Sequence, residues 1–121
     1  MAQATLIQHA RGLVGEGWTQ HADARADDGA PTDPWAPDAT SWSLLGALVA
    51  GFERAAERAG GEAAIRELAQ ACVLLSQQLD IESLERWNDA APRTQAEVVA
   101  VLDRAARSAR SAPLPLVYSR N

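Results

Sequence analysis

Apolar residues recur at helical spacing along most of the chain, and glycine or proline interrupts the pattern at a few places. Near the amino terminus the apolar positions lie three or four residues apart, as one face of a helix requires: Leu6, Ala10, Leu13 and Val14. Gly15 and Gly17 then interrupt this pattern, and glycine is common where helices end. We therefore predict a first helix within residues 1–17.

The helical periodicity is absent from residues 18–37, where aspartate, glycine and proline are dense. These residue types favour turns, so we predict one long ordered loop between the first and second helices. A loop of about twenty residues is uncommon in a compact domain and is often functional. Trp18 and Trp35 lie within it, and their size predicts that the loop packs against the helices.

A second helix is predicted over residues 38–59. Asp38 directly follows Pro37 and is a suitable N-cap, because its side chain can accept a hydrogen bond from a free amide of the first helical turn. The apolar positions after it again lie at helical spacing: Trp42, Leu45, Leu48, Val49 and Phe52. Gly46 lies on this segment and lacks a side chain, which would allow the close approach of another helix or of a ligand.

Three more helical segments follow the glycine pair at residues 60–61. All of them carry apolar residues at helical spacing, and the last has the clearest start. Thr94 and Glu97 fit the capping box, in which each side chain bonds a backbone amide near the other. Pro113 ends the helical pattern, and we expect an extended tail over residues 112–121. The predicted segments are 61–79, 81–88 and 94–111.

These elements predict an all-α fold, a compact four- or five-helix bundle with the long loop wrapped around it. At 121 residues the chain is too short for a second core, so we expect a single domain over residues 1–121. An apolar fraction of 47% is enough to build that core. With one Phe and one Tyr in the chain, the four tryptophans are its largest pieces.

Charge disfavours a nucleic-acid partner. All 11 basic residues are arginines, and the 16 acidic residues outnumber them, so the net charge is −5. Phosphate backbones normally bind to basic surfaces. Two neighbouring helices could imitate a helix-turn-helix, but the acidic balance makes a DNA-binding regulator the weakest of the functions considered.

The compartment predicted from the sequence is the cytoplasm. The single cysteine, Cys72, excludes an internal disulfide, and its apolar helical surroundings predict a buried and inert thiol. The amino terminus lacks the charged and then apolar layout of a signal peptide. The most apolar stretch, residues 44–52, is too short to span a bilayer, so no membrane association is expected.

Three strings anchored by tryptophan carry a resemblance to known sequences: Gly17-Trp18-Thr19-Gln20, Trp42-Ser43-Leu44-Leu45-Gly46-Ala47-Leu48, and Trp87-Asn88-Asp89 followed by Arg93-Thr94 and Glu97-Val98. In this order and spacing they resemble a family of small uncharacterised helical proteins from actinobacteria and their phages, over about residues 6–106. The resemblance implies a helical fold and brings no established activity. Relatives often have cysteine at the position of Ser43, and a hydroxyl needs a positioned base to replace a thiol as nucleophile.

The string Trp87-Asn88-Asp89 is the first candidate site, because it lies between helices, where a loop can present polar side chains. Asp89 could act as a base or bind a cation or an amine. Asn88 could donate to a carbonyl group, and Trp87 could form an apolar wall. The alternative is structural: Asn and Asp bond nearby backbone at helix ends, and Arg93 could pair with Asp89 to hold the turn.

His21 follows the first string and could form an acid–base pair with Asp89 at neutral pH if the fold brings them together. His21, Asp89 and Ser43 are therefore the candidate catalytic residues, although a surface or capping histidine is the more common case. No metal site is predicted, because the chain lacks paired His or Cys at ligand spacing and lacks a calcium-loop pattern. No cofactor is predicted, because glycine-rich phosphate motifs are absent.

The tryptophans that head the strings are either core pieces or the wall of one aromatic pocket, in which Gly46 leaves room for a ligand. The leading functional hypothesis is a non-enzymatic interaction or accessory module with a protein partner, because no strong catalytic signature is found. The alternative is a small-molecule-binding protein or small enzyme with a pocket under the 18–37 loop. The candidate ligand-binding residues are Trp18, Trp42, Trp87, Asn88, Asp89 and Arg93, with His21 beside them.

Overall fold

The computed structural model describes the backbone of residues 2–111 and the side chains of residues 5–109. This part of the chain forms five helices and a small sheet. The helices are α1 (Ala2–Glu16), α2 (Leu44–Ala59), α3 (Gly61–Leu79), α4 (Leu84–Asp89) and α5 (Gln95–Ser111). The strands are β1 (Ala24–Ala26), β2 (Pro31–Thr32) and β3 (Ala39–Trp42). The predicted tail, residues 112–121, lies outside the described residues.

Helix α1 lies at the centre of the helical arrangement and packs against α2, α3 and α5. Its buried side chains repeat at the spacing of one helix face: Leu6, Ile7, Ala10 and Val14. Two contacts show the direction of α5 relative to α1. Arg11 Nε lies 3.0 Å from Asp103 Oδ1, and Gln95 Nε2 lies 2.7 Å from the Val14 carbonyl oxygen. The two helices are therefore antiparallel. None of the described helices has both the length and the apolar character needed to cross a membrane.

The prediction of an all-α fold is wrong in one respect, because the predicted loop 18–37 contains two strands. Strands β1, β2 and β3 form an antiparallel sheet in the order β2-β1-β3. Ala24 lies opposite Thr32 on one side and opposite Trp42 on the other. Each strand is only two to four residues long, so no alternation of apolar and polar residues is long enough to read. The fold is helix-rich with a small sheet.

The second helix begins six residues later than predicted. Residues 39–42 form β3, and Ser43 rather than Asp38 is the N-cap of α2. The Ser43 Oγ accepts a hydrogen bond from the Gly46 amide at 2.9 Å. Both Asp38 and Ser43 are good N-cap residues, and the pairing of β3 with β1 decides between them.

The short fourth helix also differs from its predicted bounds of 81–88. Asp80 ends α3 in the left-handed conformation with φ 55°, and Ser83 then caps α4 by accepting a hydrogen bond from the Arg86 amide. The capping box before α5 forms as predicted. The Thr94 amide donates to Glu97 Oε1 at 2.9 Å, and the Glu97 amide donates to Thr94 Oγ1 at 3.2 Å.

The backbone of Asp23, the residue before β1, lies directly against the start of α2. A Cβ atom placed on Gly46 would lie 1.9 Å from the Asp23 carbonyl oxygen. The same oxygen accepts a hydrogen bond from the Ser43 amide at 3.0 Å. The space predicted at Gly46 for a helix or a ligand is therefore occupied by the chain itself, which fixes the sheet against the helices.

Candidate functional site

The three strings that carry the resemblance meet at the side chain of Asn88, which is completely buried at the end of α4. Its Oδ1 atom accepts a hydrogen bond from Trp18 Nε1 at 2.8 Å. The same atom accepts a second hydrogen bond from the Leu44 amide at 3.0 Å, at the first turn of α2. One amide oxygen thus joins the chain after α1, the start of α2 and the end of α4.

The other polar atoms of Asn88 are occupied as well. Its Nδ2 atom donates to the Thr19 carbonyl at 3.1 Å and to Asp89 Oδ1 at 3.0 Å. Its backbone carbonyl accepts from Gln20 Nε2 at 2.9 Å. A side-chain amide offers two donors and two acceptor lone pairs, so all of this capacity is used within the chain. This favours the structural interpretation of Asn88 over ligand contact.

His21 and Asp89 lie side by side. The His21 amide donates to Asp89 Oδ1 at 3.0 Å, and His21 Nδ1 lies 3.7 Å from Asp89 Oδ2. His21 has a left-handed backbone with φ 65°, a conformation that non-glycine residues rarely adopt. The side chains are 69% and 22% exposed. The separation of the two side chains exceeds the length of a hydrogen bond, so Asp89 holds the His21 backbone amide and lies near the imidazole without bonding it.

Ser43, the third candidate catalytic residue, is occupied as a helix cap. Its Oγ accepts from the Gly46 amide, and the Asp23 carbonyl oxygen lies 3.5 Å from it. The side chain is buried. A hydroxyl acts as a nucleophile only beside a base that takes its proton, and the contacts of Ser43 are to backbone groups. The geometry therefore favours a capping role for Ser43.

Arg93 does not pair with Asp89, contrary to the structural alternative considered from the sequence. Its Cζ atom lies 3.9 Å from the centre of the Trp87 ring, and its Nε donates to the Trp87 carbonyl at 2.8 Å. Its Nη1 lies 3.6 Å from Glu97 Oε2 in the first turn of α5. A guanidinium is attracted to the face of an indole ring by the cation–π interaction. Arg93 therefore stabilises the turn between α4 and α5.

The three tryptophans considered as the wall of one pocket lie at different places in the fold. Trp18 bonds Asn88, and Trp42 is buried with its Nε1 donating to the Pro34 carbonyl at 2.9 Å. Trp87 lines an open cleft of about 660 Å³ with Ile81 and Arg86. Trp42 instead lines a separate cleft under the loop, and Trp18 lines neither of the two. The three tryptophans therefore do not form the wall of one shared pocket.

The cleft under the loop, here called the aromatic cleft, has a volume of about 330 Å³. It lies between α1, α2 and the connection from β2 to β3. Its apolar residues are Leu13, Pro34, Trp35, Ala36, Trp42 and Ala50, and its polar residues are His9, Glu53, Arg54 and Glu57. Trp35 is 53% exposed at this cleft, although the sequence predicted that it would pack down on the helices.

A smaller cavity of about 130 Å³, here called the basic pocket, adjoins the aromatic cleft and shares His9 and Arg54 with it. Arg58 also lines it, one helical turn beyond Arg54 on α2. The sequence predicted a pocket under the 18–37 loop but, of the residues that line the aromatic cleft, named only Trp42 for it. The basic pocket was not predicted, because its residues come from two helices that are distant in the sequence. Its one available signal was Arg54 and Arg58, which lie four residues apart and so share a helix face.

Burial is the main reason that the pKa of His9 lies below its ordinary value of 6.5, and the nearby Arg54 lowers the pKa further. Glu16 acts in the opposite direction and does not cancel the other two effects. Near neutral pH the folded chain therefore favours the uncharged form of His9.

The free energy of unfolding is expected to fall in acid because of His9. The unfolded chain takes up a proton at a pKa near 6.5, whereas the folded chain does so only at lower pH. The stabilisation is fully present above the unfolded pKa and is lost as pH falls through the folded pKa. His9→Gln should flatten this part of the profile, as measured by urea unfolding between about pH 8 and pH 5. An unchanged slope in His9→Gln would contradict this assignment.

Within the part of the chain that the structure describes, no group of three or more His, Cys, Asp or Glu residues could hold a metal ion. A family model described as a family of unknown function, DUF6197, matches residues 1–108. No curated protein and no solved structure matches the chain.

Proposed function

The chain belongs to this family of unknown function, and we propose that it is a non-enzymatic binding module that takes a small molecule in the aromatic cleft. The observation that carries the proposal is Trp35, a large aromatic residue that is 53% exposed at a cleft lined by other apolar residues. Large exposed aromatic side chains are costly to leave in water, and tryptophan is enriched among residues that dominate binding.

Two hydrogen bonds fix the backbone on either side of Trp35. Pro34 is buried, and its carbonyl accepts the indole N–H of Trp42 at 2.9 Å. The Ala36 amide donates to the Asp33 carbonyl at 3.0 Å, which closes a turn around Trp35. A side chain on a fixed backbone loses little conformational entropy when it binds. The exposed indole is therefore preorganised for a partner.

The lining of the aromatic cleft has the composition of a ligand site. Leu13, Trp42 and Ala50 supply apolar surface, while polar groups come from His9, Arg54, Glu53 and Glu57. Small-molecule sites combine an apolar wall with a few polar groups, and their volumes begin at about 300 Å³. The cleft beside Trp87 is larger but more open to solvent, so it would enclose a ligand less completely.

A protein partner is the second candidate function, and a different surface supports it. Ile65 and Val73 are both strongly exposed on α3, with exposed Ala69 between them. Residues at this spacing of four lie on one side of a helix, so they form an apolar stripe. Amphipathic helices use such stripes to dock on partners. This stripe is distinct from the aromatic cleft, and the two functions can be tested separately.

Trp35→Ala is expected to remove ligand binding while leaving the free energy of unfolding within about 0.5 kcal/mol, because the indole makes few contacts that folding requires. The test is a thermal-shift screen of small metabolites. A ligand at about 100 times its Kd stabilises the native state by about 2.7 kcal/mol. Compounds that raise the Tm of the parent protein should have no effect on Trp35→Ala.

The matched control is Val73→Ala, which removes exposed apolar surface outside the cleft and should keep every response. Stabilisation that survives Trp35→Ala but is lost in Val73→Ala would contradict the proposal. A screen in which no compound stabilises the parent protein would also count against it and would favour the α3 stripe.

A further inference from the structure

We propose that the basic pocket binds a single oxyanion group, a carboxylate or a phosphate, that belongs to the ligand held in the aromatic cleft. The inference rests on the proposed function and names the ligand class: a small amphipathic anion. The pocket lies between the first half of α1 and the second half of α2. It is lined by Thr5, Leu6, His9, Gly51, Arg54 and Arg58.

The charge of the lining is the first support. Among the residues with described side chains, two arginines and a histidine line the basic pocket and no carboxylate does, in a chain with a net charge of −5. Among the described residues, Arg54 takes part in no ion pair. Glu53 and Glu57 lie on the same helix and line the aromatic cleft, as Arg54 also does, but neither forms an ion pair with Arg54. Arg54 is therefore a cation without a fixed counter-ion at a concave site.

The second support is that Arg58 is positioned by a buried carboxylate. Arg58 Nη2 lies 3.5 Å from Glu67 Oε1, and Glu67 is only 4% exposed on α3. One carboxylate neutralises one of the two guanidinium groups and leaves the pocket with a net positive charge. Guanidinium groups present planar sets of N–H donors that match the oxygens of carboxylate and phosphate.

The size of the basic pocket fits one group rather than a whole ligand. Its volume of about 130 Å³ is several times the ~30 Å³ share of a water molecule, which is enough for a carboxylate or phosphate group. The body of the ligand must then lie elsewhere. Of the side chains that the structure describes, only His9 and Arg54 line both cavities. An anion between these two residues would place an apolar body under Trp35.

The pKa of His9 should report whether an anion is bound in the basic pocket. The charged groups around it are Arg54 and Arg58 on α2, Glu53 and Glu57 at the aromatic cleft, and Glu16 on α1. The positive charge of Arg54 is one cause of the lowered pKa of His9. An anion bound beside Arg54 would offset the effect of this charge on His9. Binding should therefore raise the pKa of His9, whereas a ligand bound elsewhere would leave that pKa unchanged.

The experiment follows the His9 imidazole signals by NMR while inorganic phosphate, phenyl phosphate or benzyl alcohol is added. Phenyl phosphate should bind more tightly than either other probe and raise the pKa of His9. Arg54→Gln should weaken phenyl phosphate about 10- to 100-fold, as expected for one hydrogen bond to a charged group. Arg104→Gln, an exposed arginine on α5, is the control and should change nothing. Trp35→Ala should reduce phenyl phosphate to the affinity of inorganic phosphate.

The outcomes separate the two proposals. Benzyl alcohol binding as tightly as phenyl phosphate, or Arg54→Gln without effect on phenyl phosphate, would overturn the oxyanion inference and leave the aromatic cleft intact. Phosphate that moves the His9 signals, with no gain from the phenyl group and no effect of Trp35→Ala, would support the basic pocket and contradict the proposed function. An unchanged pKa of His9 with all three probes would overturn the inference.

Discussion

Asn88→Ala is expected to lower the free energy of unfolding by about 3–4 kcal/mol. The substitution removes a side chain that is completely buried and makes four hydrogen bonds. It leaves the indole N–H of Trp18, the Leu44 amide and the Thr19 carbonyl without their partner. Each buried polar group that loses its partner costs about 1–3 kcal/mol. The cost should also appear as a fall in Tm of roughly 10 °C.

Urea unfolding followed by circular dichroism measures this loss, and Gln20→Ala is its control. Gln20 spans the same junction, since its Nε2 donates to the carbonyls of Asn88 and Ala90 at 2.9 Å each. Its side chain is only partly buried, so water can replace the lost bonds and the expected loss is about 1 kcal/mol. Equal losses in the two variants would show that Asn88 is not the centre of the junction.

Gly46→Ala is expected to destabilise the fold by about 3 kcal/mol, against the usual gain when alanine replaces a helical glycine. The new Cβ would lie 1.9 Å from the Asp23 carbonyl oxygen and 2.7 Å from its carbon. That backbone cannot withdraw easily, because its oxygen also accepts the Ser43 amide. The helix and the backbone at Asp23 would have to separate, and the loss of stability should appear as a lower midpoint of unfolding in urea.

Gly12→Ala serves as the matched comparison, because Gly12 lies within α1 and a Cβ there would meet no atom within 4 Å. Alanine at this position should raise the free energy of unfolding by about 0.5–1 kcal/mol, since it reduces the entropy of the unfolded chain. The two substitutions should thus move stability in opposite directions. A gain in stability from Gly46→Ala, like the gain expected from Gly12→Ala, would mean that the contact at Gly46 is not tight.

The parts of the fold that the sequence could predict are those with local signals. The third helix was predicted over residues 61–79 and spans Gly61–Leu79, and the capping box marked the start of α5 within one residue. The sheet could not be predicted, because its strands are short and pair with segments distant in the sequence. That pairing also decided between Asp38 and Ser43 as the cap of α2, which no local pattern could reveal.

The candidate site could be predicted only in part, for a similar reason. The resemblance drew attention to Trp18, Asn88 and Asp89, and the hypothesis that His21 and Asp89 could converge agrees with their separation of 3.7 Å. The sequence could not show whether these residues form a structural junction or a ligand site. That depends on which polar groups find hydrogen-bond partners within the chain, and only the three-dimensional fold decides this. Trp35 and Arg54 belong to no motif, and their proximity to His9 depends on how α1 and α2 pack.

The junction at Asn88 also sets an order in which the molecule can assemble. Trp18 and Asn88 are 70 residues apart in the chain, and closing so long a loop is entropically slow. The helices can collapse on local contacts, but the segment of Trp18 and Thr19, which pairs with Trp42 of β3, is joined to Asn88 only after α4 has docked. The sheet and α4 should then also open together as one cooperative unit below the threshold of global unfolding. Because Trp35 lies between β2 and β3, the same opening would dismantle the aromatic cleft, so ligand occupancy and local unfolding would compete directly.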